Sequence, residues 1–121
     1  MKLHILPQSL SVCQVEALRP EDLTGDLCFV GRTDEELSLV CPTDRVPESF
    51  LARDDGWRAF RIQGVLDFSL IGILAPIAAL LAENKIGIFA VSTYNTDYIL
   101  VRETEIAHAQ AVLTSAGYEF C

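Results

Sequence analysis

The chain is poor in positive charge. Nine Lys and Arg residues stand against seventeen Asp and Glu, giving a net charge of −8 and a pI near 4.5. Phosphate-backbone binding needs Lys and Arg to displace counterions, so a nucleic-acid partner is not expected. The same deficit argues against an anionic membrane surface. Metal-type cysteine spacing is also missing. Cys13, Cys28, Cys41 and Cys121 form no CxxC pair, and the first three lie in apolar runs, where a free thiol behaves as a small hydrophobe. No basic end followed by an apolar stretch opens the chain, so no signal peptide is expected and a reducing cytoplasm is the default. The longest apolar run, residues 68–82, is shorter than the roughly 20 residues of a membrane span and contains Pro76. It reads as a core helix. No GxSxG, HExxH, Walker or Rossmann fingerprint occurs. His4 and His108 are far apart in sequence. An enzyme is not expected, nor is a cofactor or metal.

What is present is apolar material. Half of the 121 residues are hydrophobic and the mean hydropathy is +0.31, ample for a buried core and unlike a disordered chain. The most informative stretch is residues 86–103, IGIFAVSTYNTDYILVRE. Two strand-like runs rich in β-branched and aromatic residues flank a polar cluster at 92–97. Such a cluster closes a turn, with Asn95 tolerating positive φ, or faces a ligand.

Upstream, residues 3–15 read as an extended segment broken at Pro7, and Pro20 starts a short helical turn. Residues 27–32 and 37–41 form a hairpin about an acidic loop, and Pro42 ends its second strand. Residues 43–56 are polar and turn-rich, and mark a boundary between units at 1–56 and 57–121. No clear repeat is visible between them. Residues 57–64 alternate without a cleanly polar face, as a strand covered on both sides does. A helix over about 70–84, capped by Asp67 or Ser69, is apolar nearly all round and should be largely buried. Pro76 kinks it, or its regular part starts nearer Ala75. Asn84 closes it in the left-handed conformation. Thr104 caps a second helix over 105–116 with Ile106, Ala109, Val112, Leu113 and Ala116 on one stripe. Gly117 follows as its terminator, and residues 118–120 return as an edge strand. The second half thus reads β-α-β-β-α-β. A right-handed crossover joins its first two strands. Trp57, Phe60, Phe89 and Tyr98 are candidates to cover the sheet face away from the helices.

The run PIAALLAENKIGIFAVSTYNTDYILVRE, with Leu3-His4-Ile5-Leu6 near the start, resembles the ACT-domain proteins. It is most similar to the small two-unit bacterial type and the related cytosolic arginine sensors of animals. The resemblance implies an α+β, ferredoxin-like ACT fold: two tandem units with antiparallel sheets and helices on one face, the first unit truncated. It also implies a free amino acid as ligand at an interface between ACT units, a homodimer, a regulated partner protein and no catalysis. The ligand positions it points to are Asp67, Phe68, Ser69 and Leu70 before the first helix and Gly87 and Ile88 at the next strand. Thr96 and Asp97 in the STYNTD string join them. A ligand carboxylate suits the helix N-terminus, an ammonium suits Asp97 or Asp67, and Gly87 allows close approach to backbone. Each has a plainer role as well. Asp97 can simply cap the turn, Asp67 and Ser69 the helix, and Gly87 can end the helix connection. A ligand-free interaction module on the same fold is the rival.

Overall fold

The computed structural model describes residues 1–64 and 72–121. Main-chain proximity divides the chain into two units, Met1–Pro7 with Arg58–Cys121, and Gln8–Trp57.

The larger unit holds strands β1 (Lys2–Ile5), the second half of β5 (Ala52–Ile62), β6 (Phe89–Ser92), β7 (Asp97–Arg102) and β8 (Glu119–Phe120), with helices α1 (Leu74–Glu83) and α2 (Ile106–Ser115). β7 lies between β5 and β6, β1 pairs antiparallel with β5, and β8 runs parallel to β1. From β5 onward the order is β-α-β-β-α-β, and the N-terminal strand β1 is intercalated between β5 and β8. That ladder is why residues Met1–Pro7 group with the far end of the chain and not with the segment they precede.

Period-two alternation puts Phe60 with Ile62, and Ile99 with Val101, on the helix-covered face. They bury there with Leu3, with Ile77 and Leu81 of α1, and with Ala109 and Leu113 of α2. Phe60 stands edge-on to Phe120, ring centroids 6.1 Å apart. Phe60 therefore belongs to the helix side, not to the opposite face for which it was a candidate. On the opposite face Ala59 and Leu100 are fully covered, and Arg61, Phe89 and Tyr98 partly so.

Both helices depart from expectation at their ends. α1 begins at Leu74 with Ile73 as N-cap, and the expected caps Asp67 and Ser69 lie outside the described residues. Pro76 falls in its first turn, where an intrahelical N–H is not needed, and no kink is called for. Nor is α1 largely buried. Only Ile77 and Leu81 are, while Ala75, Pro76, Ala79 and Ala82 face outward. Alanine is the best helix former and carries little apolar area, so an alanine-rich face tolerates water. The left-handed residue after α1 is Lys85 (φ 62°), not Asn84, whose φ is −97°. Asn84 instead donates from its side chain to the Leu80 carbonyl, 2.8 Å. Thr104 lies within a 3-10 turn, Glu103–Glu105, and does not cap α2, whose N-cap is Glu105. Gly117 ends α2 with φ 103°, as read from the sequence.

The smaller unit contains β2 (Leu10–Gln14), a 3-10 turn at Pro20–Leu23, β3 (Phe29–Arg32), β4 (Leu37–Pro42), a 3-10 turn at Thr43–Arg45 and the first half of β5. Its sheet order is β3-β4-β2-β5. Among its described elements are two 3-10 turns and no α-helix. Cys13, Val15, Leu37, Leu39 and Cys41 form its core. Residues 52–56 are strand and not the loop expected from their polarity. Two things draw them into the ladder. Asp55 accepts from Ser11 Oγ (2.6 Å) and from Arg53 Nε (3.0 Å). Gly56, at φ 85°, lies where the register between β2 and β5 shifts by one residue, a bulge that positive φ accommodates.

Candidate functional site

The polar cluster forms the turn between β6 and β7. Thr93 N–H donates to the Thr96 carbonyl (2.8 Å), and the Thr93 hydroxyl donates to the same oxygen (3.1 Å). Tyr94, at the tip, is 78 % exposed. Thr96 is buried, and its hydroxyl donates to the carbonyl of Ile62 at 2.7 Å. This bond ties the turn to the C-terminal end of β5, where the chain leaves toward α1. Asp97 follows, half-buried, one carboxylate oxygen accepting from Ser92 Oγ at 2.6 Å. Ser92 and Asp97 are direct partners in the ladder. Ser92 was not singled out from the sequence, because only the hairpin register reveals which polar residue faces Asp97. Ser92 donates to one Asp97 oxygen, and a carboxylate has further lone pairs with which to accept from a cation.

Gly87 and Ile88 lie at the opposite end of the same hairpin. Gly87 is exposed, and a Cβ there would meet nothing within 4 Å. Ile88 is half-buried against the core. From Ile88 to Ser92 the strand advances four residues, about 14 Å. One chain therefore does not bring Gly87 and Ile88 to the same small ligand as Asp97. Asp67, Phe68, Ser69 and Leu70 lie outside the described residues. Ile73, the N-cap of α1, is apolar and offers the first-turn N–H groups no side-chain acceptor of its own.

Neither histidine ring is bonded to a thiol sulfur among the described contacts. His4 Nδ1 contacts the Cys121 carbonyl at 3.0 Å, and His108 Nδ1 lies 3.3 Å from Glu105. Burial pushes the Cys13 and Cys28 thiols up and the Cys41 thiol to about 12, which suppresses the nucleophilic thiolate. Among the described residues no group of three or more His, Cys, Asp or Glu is placed to hold a metal, and no helix is long and apolar enough to cross a membrane.

The ACT domain family model matches residues 52–115. No curated protein matches significantly. Among solved structures, protein Atu0741 from Agobacterium tumefaciens is 36 % identical, with a TM-score of 0.89 over 99 % of this chain and 91 % of that one. A Vibrio cholerae protein, VC0802, described as of unknown function and a possible transport protein, is 18 % identical. Its TM-score is 0.74 over 94 % of this chain and 88 % of that one. The aspartate kinase of Clostridium acetobutylicum shares the fold at 13 % identity and TM-score 0.65, over 90 % of this chain and 33 % of the kinase. The architecture is accordingly α+β and ferredoxin-like, and ACT domains are in general regulatory modules that bind amino acids. Matched by the family model over more than half its length, and by a 36 % identical relative along nearly all of it, the chain belongs to the ACT domain family.

Proposed function

We propose that this protein is an amino-acid sensor: it binds a free amino acid at an interface between ACT units, regulates a partner protein and performs no chemistry of its own. The observation that carries the proposal is the placement of Asp97. Thr96 holds the turn to the end of β5, and Ser92 orients the carboxylate, so a negative charge stands at the end from which the chain runs to α1. In this reading Asp97 accepts the ligand ammonium. The ligand carboxylate lies on the N–H groups at the mouth of α1, with Asp67, Phe68, Ser69 and Leu70 around it. Gly87 and Ile88, about 14 Å along the hairpin, serve the ligand of a second copy, which makes the working form a homodimer. Thr96 acts by fixing the turn rather than by touching the ligand. The N-terminal segment is the truncated ACT-like unit, and the protein works in the cytoplasm. Binding changes how the units pack, with a coupling of about 1–3 kcal/mol.

The test is a thermal-shift and calorimetric panel of the common amino acids on the folded protein, repeated with Asp97→Asn. Saturable binding of one amino acid or a small group, weakened by the substitution, supports the reading. No saturable binding at millimolar ligand overturns it. The ligand-free interaction module draws on the outward alanines of α1 and the groove lined by Leu80, Asn84, Ala111 and Val112 beside it. A partner that binds with equal affinity whatever amino acid is present would favour that alternative.

A further inference from the structure

The hairpins of the two units are copies of one another on a single register, sixty residues apart. Phe29, Val30, Gly31 and Arg32 pair with Val40, Leu39, Ser38 and Leu37, and Phe89, Ala90, Val91 and Ser92 pair with Leu100, Ile99, Tyr98 and Asp97. The turns agree as well. Thr33 N–H donates to the Glu36 carbonyl (2.9 Å) as Thr93 N–H does to that of Thr96 (2.8 Å). Thr33 Oγ1 accepts from Glu36 N–H (3.2 Å) as Thr93 Oγ1 does from Thr96 N–H (3.4 Å). A 3-10 turn follows each hairpin, at Thr43–Arg45 and at Glu103–Glu105. Side-chain identity is low apart from Phe, Thr and the apolar pattern, which is why the repeat escapes a reading of the sequence alone.

Superposing the numbering shows what each copy kept. Opposite Gly87, exposed and open where a Cβ would stand, the first copy has Leu27, 8 % exposed. Opposite Asp97, half-buried and bonded to Ser92, it has Leu37, 6 % exposed and part of the core with Cys13, Val15, Leu39 and Cys41. The serine that orients the carboxylate is replaced by Arg32. The two hairpins share a backbone and differ at the positions that would face a ligand. An apolar side chain drawn into the core offers an ammonium no acceptor, and moving a leucine out to make room exposes apolar area to water.

We infer that each chain binds a single amino acid, at the unit containing Asp97, and that the hairpin of residues 29–42 is a duplicated site whose ligand positions have been converted to core. The inference rests on the sensor reading above and deepens it. The smaller unit contributes scaffold and no affinity. A protein with one site per chain responds to ligand without cooperativity inside the chain, and any steepness arises between copies.

Isothermal titration of the full chain with the tightest amino acid from the panel, normalised to folded protein, tests this. One equivalent per chain is expected. Asp97→Leu, which installs the side chain found at the equivalent place in the first hairpin, should abolish binding entirely. Asp97→Asn, which keeps shape and a partner for Ser92, should weaken it about 10- to 100-fold, the loss of a charge-assisted contact, and it serves if the leucine variant does not fold. Glu36→Thr, in the first turn, should leave affinity unchanged. Two equivalents per chain overturns the single-site inference while leaving the sensor reading intact, whereas one equivalent still bound by Asp97→Leu overturns the assignment of the site to Asp97 in both. No binding by the wild-type chain overturns both.

Discussion

Both helices close with the same main-chain motif, and only one of them uses glycine for it. After α2, Tyr118 N–H donates to the Leu113 carbonyl (3.1 Å) and Gly117 N–H to that of Thr114 (3.1 Å), with Gly117 at φ 103°. After α1, Ile86 N–H donates to Leu81 (2.9 Å) and Lys85 N–H to Ala82 (3.0 Å), with Lys85 at φ 62°. Ile86 and Leu81 bury together in the core, so the turn is held in place by packing. A left-handed L-residue costs about 1–2 kcal/mol through the contact of Cβ with the following carbonyl. Glycine avoids that cost but loses about 0.5–1 kcal/mol more backbone entropy on folding. Lysine adds a favourable charge at a helix C-terminus, about 0.3–1 kcal/mol at the surface. Comparing Lys85→Gly with Lys85→Ala removes the charge from both and isolates the backbone term. The glycine variant should be more stable than the alanine variant by about 0.5–1 kcal/mol. At about 2.1 cal/mol/K of unfolding entropy per residue, that is about 2–4 °C in Tm. Urea unfolding and calorimetry at pH 7 read it directly. Equal stability of the two variants, with amide exchange showing the Ile86–Leu81 bond retained, would refute the reasoning.

Three further outcomes follow from the contacts described. Thr96→Val removes the donor to the Ile62 carbonyl at nearly constant volume and should cost about 1–2 kcal/mol in urea unfolding, with Thr96→Ser recovering part of it. The Asp55 carboxyl is held below its usual value, first by the Ser11 hydroxyl and then, against some burial, by Arg53. Its contribution is therefore present above the ordinary carboxylate pKa, about 3.9, and is lost as pH falls through the lower folded value. The stability gap between wild type and Ser11→Ala should be widest near neutrality and narrow in acid; a gap that widens below pH 4 contradicts this. Cys41 is raised from 9.0 to about 12 by burial, so its neutral thiol favours the fold below pH 9, and that contribution fades as pH rises toward 12. Iodoacetamide at pH 8 should label exposed Cys121 long before Cys13 or Cys41. Equal labelling rates by peptide mass mapping would show that the smaller core is open.

The β-α-β-β-α-β order, the turn between β6 and β7, and the glycine end of α2 were legible because each is written in local chemistry. Runs of β-branched and aromatic residues at 86–91 and 98–101, a hydrogen-bonding cluster at 92–97 and a Gly after an apolar stripe need no distant partner to be read. The acidic surface and the absence of metal spacing were equally plain. Elsewhere local chemistry misled. Asp54, Asp55 and Gly56 look like a turn, and they are strand because Ser11, forty-four residues away, supplies a buried partner for Asp55. Residues 74–83 look like a buried helix, yet only Ile77 and Leu81 are fully buried, with Leu74 and Leu80 packed partly against the core, since packing decides which alanines face inward. Composition established an acidic chain with enough apolar residues for a core, and residue order one strong hairpin. The tertiary structure decided that β1 slips between β5 and β8, that Ser92 stands beside Asp97, and that Leu37 occupies in one hairpin the place an aspartate holds in the other. Those relations depend on register between strands far apart in the chain, and register is set by pairing and burial that no single segment encodes.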